Sequence, residues 1–203
     1  MRPFLKKNYK VIHTLFFKYG VNCVSMDDIA YNTCTSKKTI YREYKCKDEL
    51  VKDLFVSDYI YFEYDVKSLG TINIDAINKT VKLFDAVHKK INAFTATVLF
   101  DLKKYYPDLF RDLLVSYKKL IFGSFASIIQ FGKTENLFTQ MINPDSIANL
   151  ITSLFESHVY YYLSANIADN IFSRGDVLDY HFRSICTSFG LQRWELYKHR
   201  SFT

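Results

Sequence analysis

Lys37, Lys38, Tyr41 and Arg42 fall within six residues of one another, on a stretch in which Ile40 and Tyr44 stand one helical turn apart. A short helix capped by Ser36 turns Ile40 and Tyr44 to one face and sends the three cations and the phenol largely elsewhere. Ammonium and guanidinium groups displayed in this way hold phosphate oxygens, and in a DNA major groove they can read guanine O6 and N7. The distribution of charge favours such a partner. Of the net +6, residues 1–52 carry 11 Lys+Arg against five Asp+Glu, whereas residues 53–203 hold 16 of each sign. An excess confined to the first quarter of the chain marks an end that meets a polyanion, with nucleic acid the first choice and an anionic membrane surface the second.

The segments around this helix supply its supports. Leu5, Tyr9, Ile12, Phe16 and Tyr19 step by 4, 3, 4 and 3, the stripe of an amphipathic helix, and Gly20 ends it. Ser25 is an N-cap with Asp28 three residues on, and Met26, Ile29 and Ala30 face inward along a second, short helix. Tyr31 to Thr35 forms the turn before the basic helix. Lys47-Asp48-Glu49-Leu50 opens a fourth helix with acids in its first turn and a stripe through Leu50, Leu54, Val56 and Ile60. Two short helices joined by a tight turn, the second one basic and both braced by a preceding helix, describe a helix-turn-helix.

The ordered series over 12–54 resembles the DNA-binding domain of TetR-family transcriptional regulators. It comprises Phe16, Tyr19-Gly20, Ser25-Met26-Asp27-Asp28-Ile29-Ala30, Ser36-Lys37-Lys38-Thr39-Ile40-Tyr41, Tyr44 and Lys47-Asp48-Glu49-Leu50. The resemblance implies an all-α protein, with a three-helix DNA-binding domain over 1–52 and a larger helical effector-binding and dimerisation domain over 53–203. It implies a homodimeric, ligand-responsive repressor on a palindromic double-stranded DNA operator, released by a small, largely apolar effector. By the same resemblance Ser25, Thr35, Ser36, Lys37, Thr39, Tyr41 and Lys47 meet DNA, and Lys38 and Arg42 add charge beside them. Three residues depart from the family pattern. Cys34 stands where the turn usually has Gly and calls for a slightly different turn, Lys38 stands where Gly usually allows close approach, and Glu43 stands where a non-acidic residue is common.

The remaining three quarters of the chain read as helices. Ile74, Ile77, Val81, Phe84, His88 and Ile91 keep helical spacing; a further helix spans Phe94 to Tyr105, and Pro107-Asp108 opens a long one. Its apolar face runs through Phe110, Leu113, Leu114, Tyr117, Leu120, Ile121, Phe125 and Ile128, with Gly123 offering a close helix crossing and Gly132 ending it. Asn143 caps a helix with Pro144 at its first position, and a last long helix runs from about Leu178 to Gly190. The family pattern places the dimer interface on these last two helices, with Ile151, Leu154, Phe155, His158, Phe182, Ile185 and Phe189 as its residues. It places an effector pocket among the middle helices, walled by Phe84, His88, Phe94, Phe100, Tyr105, Tyr117, Phe122 and Phe125, although aromatics at this spacing also suit an ordinary core.

Composition closes off other classes. Six Gly and three Pro in 203 residues are too few for the turns of a sandwich or barrel. GxGxxG, P-loop, HExxH and GxSxG signatures are absent from the sequence, so the chain is not read as an enzyme and no cofactor is expected. Cys23, Cys34 and Cys46 with His13 offer zinc-ligand types but no tight ligand pair, and they are read as small core or turn residues with no metal. No apolar run reaches the roughly 18 residues of a membrane span, His13 and Lys18 spoil a signal-peptide reading of the start, and the four thiols suit a reducing cytoplasm. A helical binding module whose basic end meets a membrane or a protein, rather than DNA, is the alternative.

Overall fold

Helix ends in this chain are set by local chemistry. Pro3, Pro107 and Pro144 each occupy a first helical position, where a missing N–H costs nothing; Ser25, Ser36, Asp75 and Thr95 accept a hydrogen bond from the backbone N–H three residues on. The computed structural model describes residues 1–163 and 174–201, apart from the side chains of 158, 160–163, 174 and 200–201. The described residues form α1 (Pro3–Tyr19), α2 (Met26–Asn32), α3 (Lys37–Glu43), α4 (Lys47–Thr71), α5 (Ala76–Ala93), α6 (Ala96–Tyr105), α7 (Pro107–Thr134), α8 (Pro144–Leu163), α9 (Arg174–Ile185) and α10 (Ser188–Ser201). Among them the one β element is an isolated antiparallel bridge between Phe138 and Cys186, so the all-α expectation holds.

The first four helices share a core of Leu5, Ile12, Phe16, Val21, Ile29, Ile40, Tyr44, Leu50 and Leu54, all buried. Tyr19, expected on the buried stripe of α1, lies half in solvent, because Gly20 turns the chain away at φ +87°. The boundary expected at residues 52/53 falls inside α4, one unbroken 25-residue helix common to both units. Its inner stripe also differs from expectation. Val56 and Ile60 are exposed, while Leu54, Phe55, Asp58, Phe62 and Val66 face inward, so the stripe includes a carboxylate.

In the larger unit α7 packs along α8 and against α4, α5 and α6. Gly123 is at no helix crossing, since a Cβ there would meet nothing within 4 Å. Gly132 and Gly190 are the close approaches. A Cβ on Gly132 would reach 2.2 Å from the Phe138 ring, and one on Gly190 would reach 2.1 Å from the Leu137 carbonyl oxygen. Neither glycine ends its helix. α9 stops at Ile185, and a tenth helix, which the spacing did not reveal, follows and buries Trp194 against Phe182, ring centroids 4.4 Å apart. The Trp194 indole N–H donates to Asp179 at 2.8 Å, and Arg183 and Lys198 hold that carboxylate's pKa well below the usual range.

Candidate nucleic-acid interface and the cavity behind it

α3 has seven residues, too few to be stable alone, and the fold fixes it at both ends. At its start Ser36 Oγ accepts from the Thr39 N–H at 3.2 Å and meets Thr39 Oγ1 at 2.9 Å. At its end Glu43 turns back to α1, its carboxylate accepting from the Phe4 N–H at 2.9 Å, while Arg2 donates to the Glu43 carbonyl and to Glu49 Oε2, the latter at 2.9 Å. The acid that departed from the family pattern is therefore spent on the positive end of α1. Tyr44 is fully buried and donates to Asp53 at 2.6 Å.

The turn before α3 passes through Cys34, the residue that stands where the family pattern has Gly. Cys34 itself adopts the left-handed conformation at φ +49°, with its N–H donating to the Tyr31 carbonyl and that of Thr35 to Ala30. Ser25 and Asp28 form a reciprocal capping box that engages both the Ser25 N–H and its hydroxyl, and Asp28 is held below the usual carboxylate range by the serine hydroxyl first and its N–H second. The Thr35 hydroxyl donates to the Thr33 carbonyl at 3.0 Å.

Lys37, Lys38, Tyr41 and Arg42 stand on the solvent face of α3, with Thr39 half-buried beside them. Lys37 pairs with Asp27 of α2, whereas Lys38 and Arg42 have no ion-pair partner among the described residues. Tyr31, which sequence reasoning passed over as part of the turn, is the most exposed tyrosine on this side at 85%. Lys47 is half-buried; its ammonium donates to the Asn22 carbonyl at 3.1 Å, and burial lowers its pKa against the opposing pull of Asp101. Cys23, Cys34 and Cys46 are exposed, His13 stacks on Phe17 at 3.9 Å between centroids, and no metal-binding cluster is found among the described residues.

Behind this unit lies a cavity of about 490 Å³, counted with its open mouth. α5 contributes Lys90 and Ile91, with Phe94 just beyond; α6 contributes Leu99 and Leu102, α7 Phe110, Leu113, Leu114 and Tyr117, and α8 Phe155 and Val159. Of the eight residues expected to wall a pocket, Phe94 and Tyr117 line it. Phe125 is buried elsewhere in the core, Phe84 and Phe122 pack against that core, His88 sits beside Phe84 and Asn92, and Phe100 and Tyr105 are about half exposed. The aliphatic wall, which makes up most of the lining, carried no distinguishing signal in the sequence.

Against the cavity sits a buried polar cluster that joins four helices. Asp58 of α4, 8% exposed, accepts from Tyr9 of α1 at 3.0 Å, pairs with Lys90 of α5, and lies 3.5 Å from the Tyr117 hydroxyl of α7 and 3.7 Å from His13 Nε2 of α1. Burial lowers the His13 pKa; Asp58 opposes that shift and Lys90 adds to it. Burial first and Asp58 second push the Tyr9 and Tyr117 phenols up, so both stay neutral. An acid four residues from Leu54 and four from Phe62, within an apolar stripe, was the available sequence signal for Asp58.

The residues expected at the dimer interface divide. Phe182 and Ile185 are wholly buried within the chain and Phe155 lines the cavity, because α10 covers α9 and α7 covers one side of α8. Leu154 and Phe189 are about half exposed and Ile151 is half-buried, whereas the His158 side chain lies outside the described residues. Leu150 of α8, 57% exposed, shares the open face with Leu154.

No protein-family profile matches the chain, and no curated protein sequence matches it. Solved structures do. A transcriptional regulator from Cytophaga hutchinsonii aligns with a TM-score of 0.70 at 18% identity, covering 92% of this chain and 100% of its own. A TetR transcription regulator from Haloarcula marismortui aligns at 0.65 and 14% identity, covering 88% and 92%. A bacterial regulatory protein of the TetR family from Rhodococcus aligns at 0.58 and 16% identity, covering 93% and 100%. At such identities the likeness is one of backbone architecture, and it extends over nearly the whole chain: the fold is that of the TetR-family transcriptional regulators.

Proposed function

We propose that the protein is a DNA-binding transcriptional regulator, a homodimer on a palindromic operator that represses until a small, largely apolar effector enters the cavity behind α1. What carries this is α3: a short helix fixed at both ends, presenting Lys38 and Arg42, which have no ion-pair partner among the described residues, in the part of the chain that holds the whole basic excess. Lys37, Lys38, Thr39 and Arg42 are the base-reading side chains. Ser25, Thr35, Ser36, Tyr41 and Lys47 hold the phosphate backbone, and Lys37 and Lys47 must leave Asp27 and the Asn22 carbonyl to do so. Such a regulator works in the cytoplasm. No helix among the described residues is long and apolar enough to cross a membrane.

Selection of bound duplexes from a random pool tests this. Two reading helices on one dimer select half-sites about 34 Å apart or a related distance, and affinity falls with salt by roughly 0.9 in logarithmic slope for each phosphate held. Failure to enrich any duplex, or an affinity indifferent to salt, rejects DNA binding. Tighter binding to anionic vesicles than to any selected duplex points instead to the membrane-facing alternative.

A further inference from the structure

Among the described residues the cavity is apolar except where Lys90 and Tyr117 line it, and none of those lining it is acidic. Both residues also belong to the Asp58 cluster, and the two partners of Asp58 on the far side, Tyr9 and His13, are on α1, the helix to which Glu43 fastens the end of α3. Lys90 is thus the cation nearest to any ligand, its Nζ 5.3 Å from the Phe94 ring centre and 6.0 Å from that of Tyr117, both rings in the cavity wall. A cationic ligand would meet an ammonium in a low-dielectric wall with no acid of its own, and a wholly apolar one would leave Lys90 where it is.

We propose that the effector is an amphipathic anion, an apolar chain or ring ending in a carboxylate, which draws Lys90 and the Tyr117 hydroxyl off Asp58 and thereby loosens α4, with α1 still held to it through Tyr9 and His13, from α5 and α7. This rests on the regulator reading above and names its ligand class and its relay. With Lys90 paired to Asp58 and His13, Tyr9 and Tyr117 neutral, the buried cluster carries no net charge. A second buried anion breaks that balance, which is costly unless a proton arrives. His13 faces Asp58 from α4 and Lys90 from α5, with Tyr9 and Phe17 on its own helix. Once Lys90 turns to the ligand, its opposition to the imidazolium is withdrawn while the attraction of Asp58 remains, so His13 takes up the proton.

The experiment titrates the full chain with decanoate, 1-decanol and decylamine, which share a tail and differ in head charge, by calorimetry in buffers of different ionisation enthalpy. Decanoate should bind at least tenfold tighter than decanol, decylamine should not bind, and decanoate alone should take up protons near pH 7. Replacing both charges together, Lys90→Met with Asp58→Asn, leaves no unpaired buried ion and should abolish the preference for decanoate. Equal binding of decanoate and decanol, an undiminished preference in the double variant, or no binding of any probe at millimolar concentration overturns the proposal. Decanoate should also weaken retention of a selected duplex by the native chain and not by the double variant. A chain that prefers decanoate yet selects no duplex without ligand refutes the regulator reading while sparing the ligand class.

Discussion

Placing a glutamate at Leu154 or at Ile185 separates what holds two copies together from what holds one copy up. Ile185 is 0% exposed in the single chain, one turn from Phe182 on α9. A carboxylate there is buried without a partner at a cost of several kcal/mol, against a total stability of roughly 5 to 15 kcal/mol for a domain. Ile185→Glu should therefore unfold much of the chain. Leu154 is 55% exposed, so in a lone chain Leu154→Glu should shift stability by no more than about 0.5 kcal/mol. In a symmetric interface the same change acts twice. Losing the remaining half of a leucine's burial costs about 1 kcal/mol per copy, and desolvating each carboxylate adds about 1 to 2 kcal/mol more. The sum, roughly 5 kcal/mol, weakens the dimer by more than three decades. Sedimentation equilibrium at micromolar concentration, with circular dichroism on the same samples, reads both effects: Leu154→Glu should sediment as a helical monomer. A Leu154→Glu protein that remains dimeric removes the open face of α8 from the interface, and a folded Ile185→Glu protein refutes the interior placement of α9.

Lys38→Ala and Arg42→Ala should each cost about 1 to 3 kcal/mol at a selected duplex and little on random DNA in an electrophoretic or anisotropy titration; equal losses on both would make these residues phosphate holders. Cys34, at φ +49°, should tolerate Gly with stability unchanged or raised by up to about 1 kcal/mol in urea unfolding, whereas Cys34→Val should lose about 1 to 2 kcal/mol. The His181 Nε2 is buried and has no hydrogen-bond partner among the described residues, and burial pushes the imidazole pKa down to about 4. The unfolded chain therefore binds a proton at this site below about pH 6.5 that the folded chain refuses until about pH 4, so stability falls across that window by up to about 3 kcal/mol and then levels. His181→Leu should remove that part of the acid slope.

Local chemistry was the legible part of this molecule. Ser25, Ser36 and Asn143 cap helices as their spacing predicted, since a cap is a bargain between residues two or three apart; Asn143 Oδ1 accepts from the Asp145 and Ser146 N–H groups. The helical stripes of α1 and α7 were equally plain. A stripe says that a face is covered and is silent about what covers it, which is why Phe182 and Ile185 have the spacing of interface residues although both are buried within the chain, Phe182 against Trp194 of α10. α10 has no apolar stripe to mark it, since Trp194 is the one fully buried side chain among its described residues and is flanked by Arg193 and Glu195. The Asp58 cluster draws on residues 9, 13, 58, 90 and 117, and only the folded chain brings such separations within hydrogen-bond reach. Glu43 looked misplaced for the same reason: its partner, the Phe4 N–H, is 39 residues away.

The two-ended anchoring of α3 bears on how fast and how selectively it can meet a duplex. Seven residues left to themselves would be coil most of the time, and a coil that must wind up on the groove adds a folding step to every encounter. Here Ser36 closes one end, and Glu43 and buried Tyr44 fasten the other to α1 and α4, so the backbone arrives rigid and only long side chains remain to be ordered. In the proposed DNA complex, association would then be governed by diffusion and by the field of the basic end, and a mismatched sequence would meet a surface that cannot remould itself to fit.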